Sequence, residues 1–391
     1  MKQLFSFCCL IAVVLLSSLT TVAQQLTPFG LGDKYGFKDK NGNEAIKAIY
    51  QEVHPFSENR AYVVVNGKKM FIDSTGAIKI SLKQDSACFF SEGLCAVRSG
   101  ASYGYIDKLG TLKIPVQFDE ALPFYEGFAV VRKGTKYGFI DKTGKLIIPC
   151  SYRMAYSFSE GLAAVVKDSL SGTGYIDVKG KVVIPSHYEK GGNFVNGLAA
   201  VKKGGKYGFI DKTGKAVLSL EYDWVSAYND GLVRVMKGGK WGYANHEGKI
   251  VVEIQYDYAD DFNQGYARVR NGKYYGIIEK SGKVVVPIQY EWAESFDGDY
   301  IMVVKGGKWG CLNKNLEVIS SFKYNVDRPF SGNFAVISTN GQYGYLNRKG
   351  ELVIPFQFDY AYDFIAGWAE VVKDEHSFYI DRTGTCVRLC R

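Results

Sequence analysis

The sequence predicts an all-β protein: a tandem array of about eleven 34-residue repeats, each a three-stranded β-meander, stacked in an open, curved or superhelical series. A closed propeller-like ring, or a pair of rings, is the alternative arrangement. Three observations carry this. The 391 residues include 44 Gly, 28 Tyr and 24 Phe but only 5 Met, a composition of short strands and tight turns. The peptide YGFIDKTGK occurs at 137–145 and again at 207–215, with looser copies from Tyr103, Trp241, Tyr275 and Tyr343. The second residue of each copy is a ruler. It falls at Gly36, Met70, Gly104, Gly138, Gly174, Gly208, Gly242, Gly276, Gly310, Gly344 and Phe378, every 34 residues except for one interval of 36. Self-similarity at such a period marks a repeat architecture.

The template's first strand is typified by residues 197–203. Val97, Val131, Val165, Val201, Val235, Val269, Val303 and Val371 recur there, with Ile337 substituting once. Two residues earlier the position is usually Ala, as at Ala129, Ala163, Ala199, Ala267, Ala335 and Ala369. Period-2 alternation of this kind defines an inward face. A turn at Gly204 and Gly205 leads to the second strand, residues 207–211, and a second turn to the third strand, residues 215–220. Three residues after the ruler stands Asp, Asn or Glu in all eleven copies; six after it stands Gly in ten, with Leu316 the exception. Glycine there supplies a left-handed backbone, and the side chain before it accepts the turn's N–H groups. Pro115, Pro149, Pro185, Pro287 and Pro355 are expected to end the third strand, since proline cannot donate to a ladder. The ruler glycine lies inside a strand. The expected reason is close passage of a neighbouring repeat, with an aromatic across it.

The connection between repeats is regular too. Its second aromatic recurs as Phe56, Phe90, Tyr228, Phe262, Phe296 and Phe364, and Pro55, Pro123 and Pro329 precede it. Three residues after that aromatic stand Asn59, Gly93, Gly127, Gly161, Gly197, Gly231, Gly265, Asp299, Asn333 and Gly367. These residue types tolerate positive φ, which predicts a left-handed corner. The interval of 36 places its two extra residues in 167–173, a surface turn by composition. A 34-residue meander cannot bury both faces alone, so repeats must stack. Eleven exceed the four to eight blades of an ordinary ring, which favours the open array.

Lys240-Trp241-Gly242, Lys308-Trp309-Gly310 and the Lys-Tyr-Gly copies resemble the WG-repeat (KWG-repeat) family over essentially the whole mature chain. The resemblance implies a bacterial β-repeat array, often exported, whose biochemical role is mostly undefined. Most copies here carry Tyr before the glycine, and the repeats around Met70, Thr173 and Phe378 have lost part of the motif.

Residues 1–23 read as a secretory signal peptide: Lys2, the apolar run 10–16 and Thr21-Val22-Ala23 at the cleavage site. The run is short for a bilayer-spanning helix. The mature chain, 24–391, is expected to be one continuous array and a monomer, exported to the periplasm, cell surface or medium, with no transmembrane segment. It keeps Cys88, Cys95, Cys150, Cys311, Cys386 and Cys390, which permit 15 full pairings and no assignment.

No phosphate loop, HExxH or G-x-S-x-G elbow occurs, and His54, His187, His246 and His376 fall at different repeat phases. No catalytic, cofactor or metal residues are expected. The recurring Asp107, Asp141, Asp177 and Asp211 read as turn residues. Two features suggest binding. Lysines flank both turns, as at Lys142 and Lys145, Lys212 and Lys215, Lys237 and Lys240, Lys280 and Lys283. Acidic residues alternate with them, so they read as a solvated edge, and nucleic acid is not the expected partner. The stronger feature is an aromatic row sixteen residues after the ruler: Trp224, Tyr258, Trp292 and Tyr360, with Val326 interrupting. The same position holds Glu52, Ser86, Glu120, Met154 and Lys190 in earlier repeats, so the fold does not need an aromatic there. The leading expectation is a non-catalytic binding or scaffold protein that meets a protein or glycan of the cell envelope through this row. The alternative is a hydrolase of envelope polymers using paired carboxylates, with Asp260 and Asp261 in the stretch 257–261 as candidates.

Overall fold

The computed structural model describes residues 26–389 except 295, 297, 298, 327–329 and 366. The signal-like segment, Pro329 and Cys390 therefore lie outside the described residues. Every regular element among the described residues is a β-strand, and all pairing is antiparallel between consecutive strands. No helix among them is long and apolar enough to cross a membrane. Two compact units are formed, one ending at Gly161 and the other beginning at Leu162.

The unit ending at Gly161 shows the template plainly. One repeat runs Glu120–Ala121, Phe128–Lys133, Lys136–Asp141 and Leu146–Tyr152. The sheet thus has four strands, where the sequence predicted three. The addition is a two-residue strand in the connection, with Glu120 opposite Arg132 and Ala121 opposite Val131. Such a strand is too short to show alternation in the sequence.

The ruler glycine faces its own repeat. Tyr137 pairs with Tyr152 and Phe139 with Ile148, so residues 149–151 all stand against Gly138. The third strand bulges there by two residues and presses its backbone onto the glycine. A Cβ at Gly138 would lie 2.5 Å from the Ile148 carbonyl oxygen and 2.7 Å from the Cys150 nitrogen. This corrects the expectation of a neighbouring repeat or an aromatic at that point. It also corrects the prolines. Pro149 lies within the strand Leu146–Tyr152, on the bulge rather than at the end, where a missing N–H costs no ladder bond.

Packing between repeats makes the core. Tyr105, Ile114 and Phe118 of one repeat share a buried cluster with Phe124, Val131 and Ile140 of the next. Tyr105 meets Phe124 edge-on at 4.9 Å and donates its hydroxyl to the Leu122 carbonyl at 2.7 Å. Each such side chain contributes roughly 1.5–3 kcal/mol when fully buried, and most of that is lost if a repeat stands alone.

The corners form a second inter-repeat seam. Gly93, Gly127 and Gly161 have φ of 86°, 84° and 85°, as predicted. The residue before each is also left-handed, at Glu92 (52°), Glu126 (54°) and Glu160 (55°). Both central residues positive is the type I′ hairpin turn. Glu58, Glu92 and Glu126 then accept the N–H of Gly93, Gly127 and Gly161 in the next corner, at 3.0, 2.9 and 2.8 Å. Lys108 and Lys142 pair with Glu58 and Glu92, each at 3.0 Å. A left-handed glutamate costs about 1–2 kcal/mol. One hydrogen bond to a charged group, worth about 1.5–3 kcal/mol, offsets it.

The unit beginning at Leu162 repeats this architecture. Tyr258–Ala259, Tyr266–Asn271, Tyr274–Glu279 and Val284–Tyr290 form one of its sheets. At residues 318–326 the third strand and the next short strand run together, giving a seven-stranded sheet. The extra residues fall in a surface turn at 167–172, in which Asp168 accepts the N–H groups of Leu170 and Ser171, while Thr173 is buried and opens the strand Thr173–Asp177. Gly197, Gly231, Gly265 and Gly367 have φ of 82–94°. The corner at Asn333 differs from expectation: its positive φ falls on Gly332 (61°), one residue earlier. Asp299 follows residue 298, which is outside the described set. Leu316 adopts φ 65°, so the turn imposes the left-handed state even without glycine.

The aspartate three after the ruler performs the predicted turn role in both units. Asp141 accepts the N–H of Thr143 and of Lys145 at 2.9 and 3.1 Å; Asp211 does the same for Thr213 and Lys215. The hydroxyls of Thr143 and Thr213 and these N–H groups hold both carboxyls below the usual 3.8. A depressed folded value adds stability above the unfolded pKa, which is lost as pH falls through the folded one. Asparagine, already present at Asn245, Asn313 and Asn347, keeps the acceptor without titrating. In urea unfolding of Asp141→Asn/Asp211→Asn, the deficit against wild type is therefore expected to shrink from pH 7 to pH 3. Parallel loss in both proteins would reject the assignment.

Candidate functional site

The aromatic row begins the short strands of the second unit. The fold leaves this position free because the short strand pairs on one side only. Trp224 opens the strand Trp224–Asn229 and is 37 % exposed; Tyr360 opens Tyr360–Ala361 and is 36 % exposed. Tyr258 and Trp292 are half-buried.

Each ring leans on the aromatic that precedes a ruler glycine. Trp224 meets Trp241 edge-on at 5.4 Å. Tyr275 lies between Tyr258 at 6.4 Å and Trp292 at 5.1 Å. Tyr360 stands against Tyr343 and Tyr362, each at 5.0 Å, apart from the other three. The side chain of Val326 is not among those described.

Two arginines that the sequence reading did not single out tie the row together. Arg234 and Arg268 stand eight residues before their rulers, where other repeats carry Ala96, Val130, Ala200 or Met302. They are therefore departures from the template, and a comparison of that column would have found them. Arg234 lies over Trp224 at 5.3 Å and Trp241 at 4.8 Å. Arg268 lies over Trp292 at 4.0 Å and Tyr275 at 5.6 Å. Both are mostly buried, with side chains 17 % and 15 % exposed. A charge this covered needs a counter-charge. Asp261 lies 3.2 Å from Arg234 Nε, and Asp260 Oδ2 accepts from Arg268 Nε and Nη2, each at 2.8 Å. Arg234 Nη1 donates to the Ala259 carbonyl, and Arg268 Nη1 to the Ala293 carbonyl at 3.1 Å, which links successive repeats.

The polar ends of the rings are fixed as well. Tyr258 donates its hydroxyl to Asp260 at 2.5 Å, and Trp292 Nε1 donates to Glu294 at 2.7 Å. The hydrogen bond to Asp260, together with burial, raises the Tyr258 hydroxyl above its ordinary pKa. The structure thus joins Trp224, Tyr258 and Trp292 into one strip of indole and phenol rings, guanidinium planes and carboxylates. The carboxylates at Asp260 and Asp261, considered for hydrolysis, each hold an arginine.

In the first unit the same column holds no aromatic: Glu52, Ser86 and Glu120 are polar, and Met154 is exposed. Glu120 takes Arg132 at 3.1 Å and the Tyr137 hydroxyl at 2.8 Å. Several lysines of the turns have acidic partners: Lys280 with Asp230 at 2.7 Å, Lys240 with Asp257 at 2.5 Å, and Lys237 with Glu221 at 2.7 Å. Rows neutralised in part in this way form a weaker polyanion track.

The fold and site define a class: an antiparallel β-repeat protein with a variable strip along its short strands. The profile of the WG containing repeat matches residues 35–68, 103–137, 137–170, 174–207, 207–241, 241–275, 275–309, 309–343 and 343–375. The chain belongs to that family. The repeats around Met70 and Phe378, outside those matches, still form the same sheets. No characterised relative matches the sequence. Among solved structures, a eukaryotic initiation factor is 11 % identical at a TM-score of 0.38, over 82 % of this chain and 92 % of its own. A dihydro-heme d1 dehydrogenase, NirN, is 12 % identical at 0.32, over 68 % and 73 %. PorZ, a bacterial surface component of the type-IX secretion system of Porphyromonas gingivalis, is 10 % identical at 0.28, over 88 % and 52 %. Likeness at this level does not extend to function.

Proposed function

We propose that the protein is an exported, non-catalytic binding scaffold, and that the strip at Trp224, Tyr258 and Trp292 engages a partner of the cell envelope. The observation that carries this is the partly exposed rings of a single repeat column, backed by arginines found only beside them. Aromatic faces flanked by fixed carboxylates and guanidinium groups suit a glycan, whose C–H faces stack and whose hydroxyls need both donors and acceptors. A protein partner is the other reading. Export rests on the signal-like residues 1–23. A carboxylate engaged by arginine is poorly placed to move protons, which supports a non-catalytic role for Asp260 and Asp261.

Trp224→Ala/Trp292→Ala is expected to keep the β-type circular dichroism of the mature chain while its retardation in gels containing soluble envelope polysaccharide falls at least tenfold. Unchanged retardation would reject the strip as the binding surface. Loss of the fold would return both residues to the core. Retention by envelope proteins alone, abolished by the double variant, would favour the protein reading.

A further inference from the structure

Outside the strip, one pair of reactive side chains departs from the template together. Nine residues before the ruler the fold places Ala61, Ala129, Ala199, Ala267, Ala335 and Ala369, with Ala163 equivalent across the longer interval; in one repeat Cys95 takes that place. Seven residues ahead of it the position varies freely, as His54, Leu122, Ser226, Asp260 and Glu294, and in that same repeat it is Cys88. The fold brings the two thiols to 3.9 Å. Cys88 N donates to the Ala96 carbonyl at 3.0 Å, and Cys95 Sγ to the Cys88 carbonyl at 3.3 Å. We infer that Cys88 and Cys95 are a disulfide site, closed by thiol–disulfide exchange with a low-molecular-weight disulfide.

The geometry supports that pairing among the described cysteines. Sulfurs in a disulfide lie about 2.05 Å apart, so closure needs an approach of roughly 2 Å. Cys88 follows the short strand Ser86–Ala87 and holds the last backbone bond of that pairing, so the chain beyond it can adjust. Cys95 is held inside the strand Leu94–Ser99 and is fully buried, whereas Cys88 is half-buried. That asymmetry sets the roles. The hydrogen bond from Cys95 and nearby backbone groups hold the Cys88 thiol below its ordinary range, while burial pushes the Cys95 thiol up. Cys88 loses its proton to solvent and attacks the external disulfide, forming a mixed disulfide and expelling one thiolate. Cys95 then loses its proton, attacks the Cys88 sulfur and expels the second thiolate. The protein loses two protons and two electrons, which the external disulfide takes up to become two thiols.

The test uses the reduced mature chain and oxidised glutathione, followed by alkylation and peptide mass analysis. A Cys88–Cys95 link lacking two hydrogens is expected, with a higher thermal midpoint than the reduced protein. Cys95→Ala, which restores the residue normal at that position, is expected to fold, to gain no such rise and to retain glutathione on Cys88. Free Cys88 and Cys95 after treatment, a persistent adduct on wild-type Cys88, or a bridge from either to another cysteine would each overturn the inference.

Discussion

Gly138→Ala is expected to destabilise its repeat by at least about 3 kcal/mol, the upper range for overpacking. The new Cβ would lie 2.5 Å from one backbone atom of the bulged third strand and 2.7 Å from another. Neither can swing aside as a side chain can. Relief requires undoing the bulge, which shifts the register of residues 149–152 against the second strand and breaks the Tyr137–Tyr152 pairing. Two controls separate this clash from a general cost of replacing glycine. Gly127→Ala meets no atom within 4 Å but sits at φ 84°, so the strain alone should cost about 1–2 kcal/mol. At Gly310 the nearest atoms belong to the Phe322 ring, 2.5 Å away, which can rotate, so Gly310→Ala should also be milder. Repeat arrays melt through nearest-neighbour coupling, so local hydrogen exchange in 128–152 should report the damage before global circular dichroism does. Equal losses in all three variants would reject the bulge as the reason for the ruler glycine.

How far this was legible in the sequence follows the range of each interaction. Turn chemistry is local, and Asp141 with Gly144 stated its own conformation through residue type. The inward Val131 and Ala129 were legible because a strand alternates strictly. The ruler glycine was found by its recurrence, yet its cause was misread. The bulge is created by an offset between two strands, and no single stretch of residues carries that offset. The same applies to Pro149, which marks a ladder interruption wherever that falls. The short strand escaped notice because two residues have no period. Glu92 and Glu126 escaped because glutamate does not advertise a left-handed backbone; only the charge-assisted bond to the next corner makes it affordable there. In the candidate strip, the rings stood out by type, while Arg234 and Arg268 stood out only against a column that is otherwise apolar except at Glu370.

Those arginines supply the second large effect. Arg268→Met is expected to cost about 2–3 kcal/mol, the range for losing hydrogen bonds to a charged group. Methionine fills the equivalent position at Met302, so the site accepts its shape. What is lost is the donor set. Asp260 would keep only the Tyr258 hydroxyl, and the Ala293 carbonyl would lose its donor from the preceding repeat. The Trp292 ring would also lose the guanidinium stacked at 4.0 Å, so its fluorescence maximum should shift. A partly buried ion pair is costly to break and cheap to replace as a whole. Arg268→Met/Asp260→Leu, which places at 260 the residue type of Leu122, should therefore recover most of the stability lost in the single variant. Binding should not recover with it. If the strip recognises its partner, the double variant folds like wild type but captures poorly, because neither the guanidinium nor the carboxylate remains beside the rings. If both variants bind as wild type does, the arginine serves only to join repeats, and recognition must lie elsewhere on the array.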